Sequence, residues 1–340
     1  MFPDALDLYA ERTNPLNPNQ YEVDGEWVDM EIDEQTIHIK PAFPSFLTTP
    51  IPPVKWQVRR TRHGPLISDG VRQVETPLAI RWTALDEVDR TFDSFMGMNY
   101  AQDLASFEMA VKDYKAPAVN IIYADNKNNI ARFAAGALPI RKKGNGRRPV
   151  PGWNSDYQWE KYIPFEEMPH EVNPERGFVA NANNKNHPED YPYVVQNLES
   201  PLYRLERITE VLQGHIESGK KITTADFITL QGDSHSLQVD DLLPFLQSLP
   251  AKTNKQQEAI AKLQIWDGVI AGDSEATAIY QIWMKFFNHL LIGDDLKGSV
   301  LQEVRGNQLQ TIPPRLRPGL MKQVVKNSPE LHNDWCNQIN

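Results

Sequence analysis

The chain has 340 residues, 40% hydrophobic and 24% charged, an ordinary globular composition that allows a large core in one or two domains. Its 45 acidic against 35 basic residues give a net charge of −10, which excludes the basic footprint of a nucleic-acid binder. The lone cysteine, Cys336, excludes an internal disulfide, and no apolar run approaches the length of a membrane span.

The opening MFPDALDLYAERTNP has no basic segment followed by an apolar one, so no signal peptide is read there. A strand-like alternation starts almost at residue 1. The first third predicts strands at Ala5–Glu11, Glu26–Met30, Thr36–Lys40, Trp56–Thr61 and Leu78–Thr83, with NPNQ (17–20) and VDGEW (23–27) as turns. The proline-dense stretch Pro41–Pro53 reads as an irregular connection. Leu104, Phe107 and Val111 share one face of a helix predicted over Asp103–Lys112. VNIIYADNKNNIARFAAG (119–136) is predicted as a hairpin with a polar turn. Gly136–Pro174 has little periodicity, and a loop that long is uncommon unless functional. Its tryptophans and tyrosines predict that it packs on something. RGFVANANN (176–184) then reads as a short strand ending in polar residues.

Beyond Pro201 the pattern turns helical. Leu202, Leu205, Ile208 and Leu212 recur at helical spacing, and Thr224 is predicted to cap the helix in TTADFITLQGD. Three further helical segments follow. Strands, a long loop, a strand and then helices predict an α+β fold, with antiparallel sheet over 5–134 and 177–182 and helices over 202–290. Residues 1–340 read as one region, mostly β to residue 200 and mostly helical from 201.

No CxxC, HExxH, P-loop or G-x-S-x-G pattern is present, and nothing points to an organic cofactor. KKGNGRR (142–148) is a basic surface loop, not a dinucleotide fingerprint, because it does not follow a strand. His63 in RTRHGPLIS reads first as a satisfied turn residue; catalysis by His63 with a nearby carboxylate is the remote alternative. Asp4 and Asp7 are either polar positions at a strand edge or carboxylates for Ca²⁺, which takes oxygen ligands. Asn181, Asn183 and Asn184 fall within four positions. Asparagine suits a turn, since it tolerates left-handed backbone, and its neutral side-chain N–H also suits an oxyanion hole.

Several motifs occur in one order: DALDLYAER, RTRHGPLIS, IIYADNKNNIARFAAGALPIR, RPVPGW, NPERGFVANANN, YRLERITEVL and LQIWDG. Together they resemble the β subunit of the penicillin acylase family of N-terminal-nucleophile amidohydrolases, over nearly the whole chain and most weakly after about Leu290. The resemblance implies an αββα sandwich, here an incomplete one. It implies hydrolysis of linear amides, such as penicillins or acyl-homoserine lactones, through an acyl-enzyme on an N-terminal serine whose own amine is the base. It places the oxyanion donor at Asn183, with Asn181 and Asn184 holding the turn. Arg204 matches an arginine bordering the acyl pocket in some members, although pairing with Glu206 or the loop fits it equally. Asp4, the Leu6 carbonyl and Asp7 match a structural Ca²⁺ segment, a partial and weakly binding site. A further acid of that site falls near Val195 and is not kept; Asp190 and Asn197 are close by.

The family's serine-bearing segment has no match here. The first serine, Ser45, lies in the proline-rich loop and matches nothing catalytic, so no nucleophile is assigned. The resemblance therefore implies, as partners, an acyl-amide substrate, an α subunit and a serine-bearing β segment. It implies a periplasmic home; without a signal peptide the chain as given would stay cytoplasmic. Alone it is expected to be inactive, and the alternative reading is a non-enzymatic remnant acting as a binding or interaction module.

Overall fold

The computed structural model describes residues 2–3, 5–40, 44, 51–70, 76–198, 200–292, 302–305 and 308–311. The chain divides into two compact units, Met1–Glu199 and Ser200–Asn340. Asp4, most of the proline-dense stretch 41–53, and Cys336 lie outside the described residues.

The first unit is built from short antiparallel sheets. Its central strand, Leu6–Ala10, pairs with Leu78–Trp82 in the register Leu6↔Trp82 to Ala10↔Leu78. Alternation puts Asp7 and Tyr9 inward while Leu6 stays more than a third exposed. Around this strand Tyr9, Tyr21, Met30, Leu66 and Ala79 form one buried cluster. The strand Glu31–Ile37 pairs with Val54–Thr61, so the strand predicted at Thr36–Lys40 lies several residues earlier. NPNQ is not a turn. It opens the strand Asn17–Val23, which pairs with Glu26–Asp29 across the Asp24–Gly25 turn. Asp24 at φ 49° and Gly25 at φ 95° supply the left-handed residues that this two-residue turn requires.

The predicted hairpin forms, Val119–Ala124 against Ile130–Ala135, with His170–Val172 as a third strand. Asp125 organises its turn. Oδ1 accepts from the backbone N–H groups of Lys127 and Asn129, at 2.8 and 2.9 Å, and Oδ2 accepts from Asn129 Nδ2 and Tyr123 OH. The helix α2 (Leu104–Lys112) packs its apolar face on this hairpin, with Val111, Tyr114, Ala131, Phe133 and Ala135 buried together. No apolar periodicity marks α1 (Thr91–Tyr100), whose buried positions are Thr91 and Ser94. It stands against α2 at Gly97, where an added Cβ would lie 2.9 Å from the Ala110 Cβ.

The long segment after Gly136 does pack. It holds an antiparallel pair, Pro139–Arg141 with Trp159–Tyr162. Val150–Pro151 pairs in parallel with Tyr9–Ala10, the one parallel ladder among the described strands. Gly152 N–H donates to the Ala10 carbonyl at 2.8 Å, and an added Cβ there would sit 2.3 Å from Glu11 Oε2. The motif PVPGW thus brings backbone against the central strand where no side chain fits.

The strand expected over 177–182 is absent: residues 178–186 form no ladder. Local asparagine side chains take the backbone N–H groups that a ladder would use, a competition typical of asparagine.

The second unit is helical: α3 (Tyr203–Glu217), α4 (Thr224–Gln231), α5 (Leu237–Ser248), α6 (Asn254–Gln264) and α7 (Glu275–Ile292). Val239, Leu242, Leu246, Leu263 and Tyr280 form its core. The cap of α4 is Thr223, not Thr224. Thr223 and Asp226 exchange side-chain and backbone hydrogen bonds in a capping box. A hairpin, Gln302–Arg305 with Gln308–Thr311, interrupts the helical character expected there. Among the described residues no helix is long and apolar enough to cross a membrane.

Candidate functional site

The asparagine cluster sits at the end of the irregular segment that follows Gly177. Ala182 and Asn184 are buried, and Asn183 between them adopts φ 62°. Two side chains define this conformation. Asn181 Oδ1 accepts the Asn183 backbone N–H at 3.1 Å, and Asn184 Oδ1 accepts the Ala182 N–H at 3.0 Å. The first is an Asx turn, which asparagine makes readily; in the second the Asn184 side chain reaches back to the N–H two residues before it. Asn184 Nδ2 donates to the Lys185 carbonyl at 2.7 Å.

Behind the turn lies a group that sequence reasoning missed. Asn120 Nδ2 donates to Asn181 Oδ1 at 3.4 Å, a weak contact. Asn120 Oδ1 accepts from Asn186 Nδ2 at 3.0 Å and from Arg132 Nη1 at 3.3 Å. Asn120 pairs with Ala134, so Arg132, two residues earlier, shares its face of the hairpin. Arg132 is buried, and burial lowers its pKa from the ordinary arginine value, opposed by the Glu171 charge. A guanidinium stays protonated regardless. Asn181 Nδ2 and Asn186 Oδ1 are buried without a hydrogen-bond partner. Such groups cost about 1–3 kcal/mol each when no partner reaches them. The available signal was a polar residue inside each of two otherwise apolar strands, Asn120 in VNIIYA and Arg132 in IARFAA.

Arg204 lies in the second unit, on α3, with Nη2 3.4 Å from Ser200 Oγ. It lines a cavity of about 400 Å³ with Arg207, Asp233 and His235. Arg207 is held by Asp233 at 2.8 Å and by Glu210 at 3.0 Å.

His63 is a satisfied turn residue, fixed by a carboxylate that the sequence did not single out. Its Nδ1 is 2.7 Å from Glu11 Oε1, Gln158 Nε2 approaches its Nε2 at 2.6 Å, and its ring stacks on Tyr9 with centroids 3.7 Å apart. Donation from Gln158 assigns the ring proton to Nδ1, directed at Glu11. Thr61 Oγ1 donates to the same Glu11 oxygen. Both ring nitrogens of His63 are engaged by protein groups, and 2% of its surface is exposed. A polar cavity of about 730 Å³ adjoins it, walled also by Arg81, Asp86, Lys115 and Tyr162; Asn183 is not in its wall.

Of the two carboxylates in the calcium segment, Asp7 is described, and protein donors engage both of its oxygens. Arg141 grips that carboxylate bidentately, Nε to Oδ2 at 2.7 Å and Nη2 to Oδ1 at 3.0 Å, and Trp159 Nε1 donates to Oδ2 at 2.6 Å. Asp4 lies outside the described residues. Among the described residues no cluster of three or more His, Cys, Asp or Glu side chains is disposed to hold a metal ion.

The penicillin amidase family model matches residues 1–340. The chain belongs to the penicillin amidase family. Penicillin acylase 2 proenzyme from a Pseudomonas species is 26% identical over 265 residues, covering 78% of this chain and 33% of the relative. Acyl-homoserine lactone acylase QuiP from Pseudomonas aeruginosa is 28% identical over 302 residues, covering 82% and 34%. Penicillin G acylase from Escherichia coli is 28% identical over 309 residues, covering 83% and 33%. The chain thus spans about a third of the length of these curated relatives. The solved structure of a thermostable penicillin G acylase from Alcaligenes faecalis superposes with a TM-score of 0.72 at 18% identity, covering 97% of this chain and 61% of that one. The α+β architecture is therefore that of the penicillin amidase fold.

Proposed function

We propose that this penicillin amidase family chain forms the oxyanion side of an amidohydrolase acting on linear acyl amides, of the kind found in penicillins and acyl-homoserine lactones. The observation that carries the reading is Asn183: a left-handed residue in FVANANN, held by the side chains on either side of it. A site that stabilises a tetrahedral intermediate needs a donor fixed before the charge develops, and one such donor is worth about 3 kcal/mol of barrier. In this reading the Asn183 amide donates to the oxyanion, while Asn181, Asn184 and Asn120 position it. The nucleophile is the N-terminal serine of a separate segment, and an α subunit completes the acyl pocket that Arg204 borders. The relatives, about three times longer than the aligned region, support such complementary parts. In this reading these 340 residues supply the oxyanion donor and not the nucleophile. The assembled enzyme works in the periplasm.

The test is complementation. The chain is co-expressed with a family α subunit and a polypeptide carrying the serine-bearing start of the β subunit, and hydrolysis of phenylacetyl, glutaryl and long-chain acyl amides is measured. Activity is expected only on assembly, falling ~10²-fold or more in Asn183→Ala, as losses of oxyanion donors do. Hydrolysis by the isolated chain, indifferent to Asn183→Ala, would overturn the assignment. A lack of turnover in an assembly shown to form, with acyl amides still bound by the chain, would favour the binding-module reading.

A further inference from the structure

We infer that the Arg141 guanidinium takes the place of a metal ion at Asp7, so that this chain stabilises its central strand with an internal cation and needs no calcium there. The carboxylate at the start of the strand Leu6–Ala10 is 3% exposed, and the side chains of Asp7 and Arg141 each retain only 4% of their surface. A buried carboxylate requires a counter-charge and donors for its lone pairs. Here both are present without an ion. The Arg141 fork covers both oxygens at 2.7 and 3.0 Å, and Trp159 Nε1 adds a third donor at 2.6 Å. Arg81, directly across the ladder from Asp7, is itself paired with Asp86 at 2.7 Å, which leaves Arg141 as the counter-charge. A Ca²⁺ ion needs carboxylate oxygens at 2.3–2.6 Å and six to eight oxygen ligands. At Asp7 it would have to displace a bidentate guanidinium, which carries its charge into the protein as a permanent part of the chain.

The arrangement also explains why the surrounding segments are folded as they are. Arg141 and Trp159 are a cross-strand pair in the Pro139–Arg141/Trp159–Tyr162 ladder, so one small sheet delivers both donors to one carboxylate. Arg81 lies over the Trp159 ring, 4.8 Å from its centroid. The group ties residues 139–162 to the strand at residues 6–10, a link between distant parts of the chain that a bridging ion makes in metal-stabilised folds.

The experiment uses the full 340-residue chain. Its melting temperature is followed by circular dichroism in excess EDTA and in millimolar CaCl₂, and calcium binding is measured by calorimetry. The wild type is expected to melt at the same temperature in both and to show no saturable heat dependent on Asp7. Arg141→Gln leaves the carboxylate uncompensated and is expected to melt roughly 5–10 °C lower in EDTA, as for the loss of one partner of a buried ion pair. Calcium should then restore part of that loss. Arg141→Lys keeps the charge without the fork and should fall between the two. A wild-type melting temperature that rises with calcium, with the rise abolished in Asp7→Asn, would overturn the inference, and this arm stands even if Arg141→Gln does not fold.

Discussion

At Asn183, backbone conformation and chemistry can be separated by substitution. A non-glycine residue with φ 62° carries a conformational cost of about 1–2 kcal/mol, smaller for asparagine, whose side chain bonds locally. Asn183→Gly removes the amide while accepting the left-handed backbone. Asn183→Ala removes the amide and keeps a Cβ that disfavours it. Glycine is therefore expected to be the more stable variant, by about 1 kcal/mol in urea denaturation, although both lose the side-chain donor. Equal stability of the two would show that Asn181 and Asn184 do not impose the left-handed turn. Three asparagines in four positions announced a turn or a donor site in the sequence. Asn120, 61 residues before Asn181, and Arg132, bonded to Asn120, could not be tied to it without knowing that the hairpin lies behind the turn.

Local elements are legible where side chain and backbone settle matters within a few residues. The Asp125 turn is one. Hydrogen bonds from Asn129, chiefly its side chain, together with those from Tyr123 and Lys127, hold the Asp125 carboxyl down at about 2 against an ordinary value of 3.8. A group whose pKa is depressed on folding contributes stability above its unfolded value and loses it as pH falls through the folded one. The advantage of wild type over Asp125→Asn is expected to be full at pH 6 and to decline from about pH 4 to about pH 2, read from denaturation midpoints at each pH. A pH-independent difference would contradict it. The start of α4 gives a second test. Thr223→Ala removes the cap and is expected to cost about 1 kcal/mol, whereas Thr224→Ala, one residue inside the helix, should stay within about 0.5 kcal/mol. Propensity points to either threonine; only the reciprocal bonds with Asp226 select Thr223. The same limit explains the strand expected at 177–182. An apolar alternation identifies an extended segment, but a strand also needs a partner, and here side-chain amides took the backbone donors first.

For the whole molecule, a net charge of −10 sets the long-range field. Duplex DNA should gain nothing from counterion release, so no binding is expected in fluorescence anisotropy at physiological salt with micromolar chain; saturable binding would contradict the reading of charge. The sequence by itself determined the class: antiparallel strands early, helices late, and a set of motifs whose order resembles one family. Composition and periodicity are enough for that, because they report which faces are apolar and where the chain turns. The tertiary structure alone decided the partners of charged and polar groups. Asp7 read as a carboxylate at a strand edge or for a cation, and only the fold shows Arg141, 134 residues away, bonded to it. His63 read as a turn residue, and the fold supplied Glu11 to hold it. A carboxylate or an imidazole has the same chemistry in any sequence, but its role depends on which opposite charge and which donors lie within about 3 Å, and that is set by strand register rather than by neighbours along the chain.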